Sequence, residues 1–161
     1  MIAKEFGLII KTLVNDTELK QLMLIPSSEI DNYGVLVEKY ICQKYVSDIF
    51  TEDGVCRLLI RKGVSTQTNS DYVKRDSVII EVYIPSYKDI MEGFETRINK
   101  ISERLIKLLN RKKFNDVTVI YNTTYEAICG TNYFKRYINR FEYKKIYIWV
   151  FFYKLNLIEL K

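Results

Sequence analysis

The stretch SVIIEVYIPSYKDIMEGFETRINKISERLIKLLNRKKF, from Ser77 to Phe114, decides the fold. Val78, Ile80, Val82 and Ile84 alternate with Ile79, Glu81 and Tyr83, which is the period of a strand with one fully buried face. Pro85 closes that strand, and Ser86 or Asp89 is placed to cap a helix reaching Asn110. Ile90, Phe94, Ile98, Ile101, Leu105 and Leu108 follow at steps of four, four, three, four and three. At about 100° per residue they make one apolar stripe. Arg97, Lys100, Arg104, Lys107 and Arg111 make a basic stripe roughly a quarter turn away.

Working outward, Ile2, Phe6, Ile9, Ile10 and Leu13 predict an opening helix to Val14. Asn15 or Asp16 breaks it and starts a second short turn through Leu19, Leu22 and Met23. Ile25-Pro26-Ser27-Ser28 reads as a loop. Tyr33 to Phe50 carries both periods and leans to helix. Glu52-Asp53-Gly54 is a turn signal before a strand from Cys56 to Lys62. Thr66 to Asp76 is polar and aperiodic, so it reads as an extended loop closing a long hairpin with the Ser77–Ile84 strand. Val117, Val119 and Tyr121 begin a third strand, with Thr118 and Ile120 on its other face. A fourth runs from Arg140 to Tyr153. Between them, Cys129-Gly130-Thr131-Asn132 reads as a turn, and no topology is assigned after residue 121. The predicted fold is a single α+β domain over residues 1–161. It has a mainly antiparallel four-stranded sheet, a long amphipathic helix packed on one face, and short N-terminal helices.

Composition narrows the chemistry. The chain has 161 residues, enough for one well-cored domain, and nearly half of them are apolar. Thirteen are tyrosines, which suit strands, half-buried surfaces and subunit contacts; a compositional bias of the source genome gives the same excess. Between Arg97 and Lys145 twelve Lys or Arg stand against four acids, a net of +8. With +1 in the tail after Lys145 and +5 overall, the residues before Arg97 sum to −4. A basic and an acidic half suit a polyanionic partner, subunits meeting head to tail, or two solvated faces.

Histidine is absent, which removes the commonest general base and metal ligand. Cys42, Cys56 and Cys129 form no CxxC pair and read as free buried thiols in a reducing compartment. No GxSxG, SxxK, GxxxxGK or GxGxxG occurs, which argues against acyl transfer and nucleotide-dependent catalysis. Asp76 and Glu81 flank the second strand, but Tyr83 stands where a metal-dependent nuclease commonly places a lysine. Glu126, Glu142 and Glu159 are isolated. No catalytic residue, metal or cofactor is therefore expected, and an enzyme is not. Asn122-Thr123-Thr124 matches a glycosylation sequon that a cytoplasmic protein would not use. Met1 to Val14 does not read as a signal peptide, and the Ile146–Tyr153 apolar run is too short to cross a bilayer as a helix. The stripe Arg97, Lys100, Arg104, Lys107 and Arg111 is the candidate site. It reads as a solvated flank, a subunit interface or a nucleic-acid contact; the last lacks the exposed aromatics that usually accompany the charges.

The order of elements resembles the tail terminator proteins of tailed bacteriophages and phage-derived contractile particles, also called tail completion or head–tail joining proteins. The resemblance lies in the short N-terminal helices, the VIIEVYI strand at Val78–Ile84, the amphipathic helix Asp89–Leu109 after it, and the closing strand pair. It implies a homo-oligomeric ring, typically a hexamer, in the virion neck. The ring caps the tail tube, stops its polymerisation and joins it to the head connector. Its implied partners are the tube protein, the connector and the sheath. There is no membrane partner, and DNA is met only as the passing genome. Assembly would occur in the host bacterial cytoplasm.

Overall fold

A computed structural model describes residues 2–44, 54–63, 66–67, 73–91, 93, 95–127 and 133–146 of the chain. It begins with α1 (Ile2–Val14) and α2 (Thr17–Leu22), then α3 (Tyr33–Val35), which widens into a π turn at Leu36–Tyr40. The strands are β1 (Ile41–Cys42), β2 (Arg57–Lys62), β3 (Thr66–Gln67), β4 (Val73–Pro85), β5 (Lys113–Phe114), β6 (Val117–Ala127) and β7 (Phe134–Ile146). A 3-10 turn at Ser86–Lys88 and the helix α4 (Arg97–Leu109) lie between β4 and β5.

The alternation around Ser77 does form a central strand. β4 pairs antiparallel with β2 on one side and β7 on the other, with Ile80 opposite both Ile60 and Asn139. The long hairpin expected from the sequence is thus present. The sheet is larger than four strands: six run in the order β1-β2-β4-β7-β6-β5, and β3 pairs with β4 outside that path. All described pairings are antiparallel except β1 with β2. The extra strands are two-residue pieces, β1, β3 and β5, and β3 comes from polar sequence. Arg75 pairs Thr66 and Lys74 pairs Gln67, so the Thr66–Asp76 stretch is partly ladder rather than loop. β6 likewise continues through Asn122–Ala127, with an irregularity between Tyr121 and Thr123. Such residues are extended because a neighbour pairs them, a signal that hydrophobic alternation does not carry. The fourth strand begins earlier than expected, at Phe134, and its predicted extension to Tyr153 lies outside the described residues. So do the Cys129–Asn132 turn and residues 45–50 of the ambiguous helix.

One face of the sheet is apolar and covered by helices. Leu58 and Ile60 of β2, Val78, Ile80, Val82 and Ile84 of β4, Val117 and Val119 of β6, and Phe141 of β7 share a core with Ile98, Ile101, Leu105 and Leu109 of α4. Phe6, Ile9, Ile10 and Leu13 of α1 and Leu19 of α2 complete it, so the opening helices stand where the periodicity put them. At the helix–sheet contact, Asn139 Nδ2 donates to Ser102 Oγ (3.2 Å), satisfying two polar groups in an otherwise dry layer.

The long helix is shorter than the sequence implied. It starts at Arg97, and Ile90, predicted on its buried stripe, is 79% exposed. The cause is Asp89. Its main-chain oxygen accepts from Arg97 N (2.7 Å) and its carboxylate from Ile98 N (2.8 Å). The helix is thus capped from eight residues upstream, while the adjacent Thr96 makes no side-chain cap. Gly93, at φ 84°, turns the intervening loop. The buried stripe also ends on Leu109 rather than Leu108.

Candidate functional site

The basic stripe was the candidate, and α4 places its five residues in two environments. Arg97 is half-buried: its Nε donates to Lys88 O (3.1 Å) and one terminal nitrogen to Leu22 O (3.2 Å), at the end of α2. Arg104 grips Asp16 with two hydrogen bonds, Nε to Oδ2 (2.9 Å) and Nη2 to Oδ1 (2.7 Å), and also lies 2.9 Å from Glu18. The hydrogen bond from Arg104 holds the Asp16 carboxyl below the usual carboxylate range; burial opposes this and the Leu19 amide assists. Lys100 pairs with the exposed Glu95 (3.0 Å), which raises its pKa. These charges tie α4 to α2 and to the loop before it. Lys107 and Arg111 are exposed and hold no ion pair among the described residues. Arg111 lies past the helix end at φ 64°, its N–H donating to Val119 O (2.7 Å). With Lys112 and Lys113, also exposed, these two gather the available positive charge at the C-terminal end of α4.

The face of the sheet opposite α4 carries a charge cluster that sequence reading missed. Glu81, at the centre of β4, is 2% exposed. Arg61 of β2 reaches its Oε2 (3.2 Å) and Arg136 of β7 its Oε1 (2.9 Å from Nε), so three neighbouring strands meet at one carboxylate. Arg136 also lies over the Tyr83 ring, 5.6 Å from its centre. Buried Arg57, on the same face, donates to Lys39 O (2.7 Å). Glu81 is a clamped structural acid, which fits poorly with a metal ligand, and no acid, thiol or histidine cluster among the described residues could hold a metal ion. The only advance signal was a carboxylate inside an apolar strand; its partners lie 20 and 55 residues away.

Cys42 and Cys56 are free and buried, as the sequence suggested, and burial pushes the Cys56 thiol up to about 12. That leaves it protonated and a poor nucleophile at neutral pH. Cys129 lies outside the described residues. No described helix is long and apolar enough to cross a membrane.

Kinship is a further guide to function. The family model YomW matches residues 9–148. The chain belongs to the YomW family. YomW is a gene name from the SPbeta region of a Bacillus phage, and membership points to a phage-associated protein. No curated protein matches the chain. The match runs from within α1 beyond the end of β7, so it takes in the whole described sheet and α4.

Proposed function

We propose that this YomW-family chain is a structural protein of a phage particle that acts as a tail terminator. Copies form a ring, a hexamer by analogy with tail terminators, which caps the tail tube, stops its growth and presents a surface to the head connector. The observation that carries the reading is the family membership, which points to phage; the terminator role is drawn from the resemblance in element order noted in the sequence, namely short N-terminal helices, a hairpin, a helix after its second strand, and a closing antiparallel pair. The charge distribution supports head-to-tail contact. Lys107, Arg111, Lys112 and Lys113 are exposed at one end of α4, while Asp31 and Glu38 are exposed on the acidic half. A nucleic-acid reading of the stripe is less favoured, because Arg97 and Arg104 spend their donors inside the chain.

The test is electron microscopy of the purified full chain, alone and mixed with polymerising tail-tube protein, alongside mass measurement in solution. Rings, and tubes of fixed length carrying a terminal ring, are the expected result. A protein that neither binds tube ends nor limits tube length would refute the terminator role.

A further inference from the structure

The face of the sheet turned away from α4 holds a guanidinium that meets no anion among the described residues. Arg140 of β7 is half-buried, and its buried Nε has no hydrogen-bond partner. Its side chain makes one long bond, 3.4 Å from a terminal nitrogen to Ser77 Oγ. A charge withdrawn from water in this way is costly until an anion meets it. Register places it: Arg61 of β2, Ile79 of β4 and Arg140 stand in one row across three neighbouring strands. The two arginines are thus two strand spacings apart, about 10 Å, with Ile79 between them. Arg61 spends its Nε on Glu81 and its side chain is 43% exposed, so its terminal nitrogens hold no bond among the described residues. Beside the row, on β2, stands Gly63. A Cβ there would lie 2.6 Å from Ser77 Cβ and 3.3 Å from Ile79 Cδ1, so the row is bare on that side. The result is a shallow seat with an apolar floor and a cation at each end.

Guanidinium forks take carboxylate or phosphate. The surroundings select carboxylate. Glu81 and Glu142 share this face, two residues from Ile79 and Arg140 on their strands. A nucleic-acid backbone, charged at every step, would run its phosphates into them. Two carboxylates set around an apolar group would not. The chain itself offers such a counterpart. Asp31 and Glu38 are exposed with no ion pair among the described residues, and Tyr33, 57% exposed, lies between them in sequence. An acid–aromatic–acid surface thus complements an arginine–isoleucine–arginine seat. The cations at the end of α4 are exposed and act at a distance, whereas half-buried Arg140 needs its anion in contact. Seat and counterpart are different surfaces, so joining them links copies head to tail, the geometry that closes into a ring when the rotation permits.

We infer that the Arg61–Ile79–Arg140 row is a docking seat for a second copy of this chain, receiving the carboxylates of Asp31 and Glu38 with Tyr33 over Ile79. This inference rests on the assembly reading above and names its subunit contact. The experiment is native mass spectrometry of the full chain across a concentration series, with amide spectra confirming the fold of each variant. Arg140→Gln should weaken self-association by about tenfold or more. Arg140→Glu, and separately Asp31→Lys with Glu38→Lys, should stay monomeric where the wild type assembles. Mixed, those two variants should form heterodimers, because the intact seat of one meets the intact acids of the other. Assembly that ignores all these changes overturns the seat and leaves the terminator reading standing. Heterodimers from a protein that ignores tail tubes do the reverse. Sensitivity to Arg140→Gln without sensitivity to the two acids overturns the pairing with them. Loss of duplex-DNA binding in place of self-association overturns the carboxylate assignment, and a monomer at every concentration overturns both readings.

Discussion

On the face of the sheet that α4 covers, β4 contributes Val78, Ile80, Val82 and Ile84 to an apolar core with α4 and α1, in which Asn139 is paired to Ser102 of the helix. On the opposite face the same strand contributes Ser77, Ile79, Glu81 and Tyr83; Tyr83 joins a small apolar cluster with Cys42, Leu59 and Phe134, and beside it the contacts are ionic: Arg61 and Arg136 on Glu81, and Arg136 over Tyr83. The two faces teach different lessons about specificity. Apolar burial forbids a one-residue slip, which would turn the whole apolar set outward, but discriminates weakly against a two-residue slip, since a displaced Val meets another Val. A carboxylate held by guanidiniums from both flanking strands rejects the two-residue slip as well, because that shift carries Glu81 away from its partners. The helix-covered face supplies most of the stability, and the clamp fixes β2 and β7 against β4.

Breaking the apolar face should have the largest effect. Phe141 is fully buried at the centre of the core, and Phe141→Ala should cost about 4 kcal/mol, read as a lower urea midpoint. Breaking the clamp comes next. Glu81→Ala leaves two guanidiniums facing each other's field and should cost about 2 kcal/mol, less than a fully buried pair because Arg61 is 43% exposed. The contrast sharpens if all three are replaced. Glu81→Leu with Arg61→Leu and Arg136→Met should recover much of that loss on unfolding, while broadening the amide spectrum if register is the clamp's contribution. Sharp, unchanged resonances in the triple variant would deny it that role.

The smallest effect lies within the helical layer, where Asp16 both caps α2, accepting from Leu19 N (2.8 Å), and holds Arg104. Asp16→Ala should cost about 1 kcal/mol at neutral pH. The folded-state carboxyl sits below its ordinary value of 3.8, so the folded chain binds this proton less readily than the unfolded one. The contribution is complete above the unfolded value and is lost as pH falls through the lower, folded one. Urea midpoints at about pH 7 and pH 3 should therefore converge between wild type and Asp16→Asn at the acid end.

Much of this comparison was legible in the sequence, and its limits follow from physics. The Val78–Ile84 alternation and the Ile98, Ile101, Leu105 spacing announce burial directly, because the chain's own period sets which side faces inward. Asp16 announced itself as a break between helices and proved to be a cap. Asp89 caps α4, as the sequence allowed, but the start of the helix was misplaced because Ile90 happens to continue the helical period across Gly93, while the cap reaches Ile98 from nine residues upstream. The Glu81 clamp was invisible as a clamp: a carboxylate in a strand does not say which distant arginines will flank it. The same holds for the polar ends of β4 and β6, where pairing and not hydrophobicity imposes extension.

The Asp89 cap has a consequence in time. Its carboxylate also accepts from Lys135 of β7 (2.7 Å), and that contact raises the Lys135 pKa. The first turn of α4 is therefore completed by a residue that β7 helps to hold, 46 positions along the chain from Asp89. In an isolated nascent segment that turn would fray, since a helix of 13 residues is marginal on its own. During synthesis the start of α4 should gain its full protection only after β7 has emerged, which pulse-labelling hydrogen exchange would read. The amides of that opening turn are then expected to report closure of the sheet.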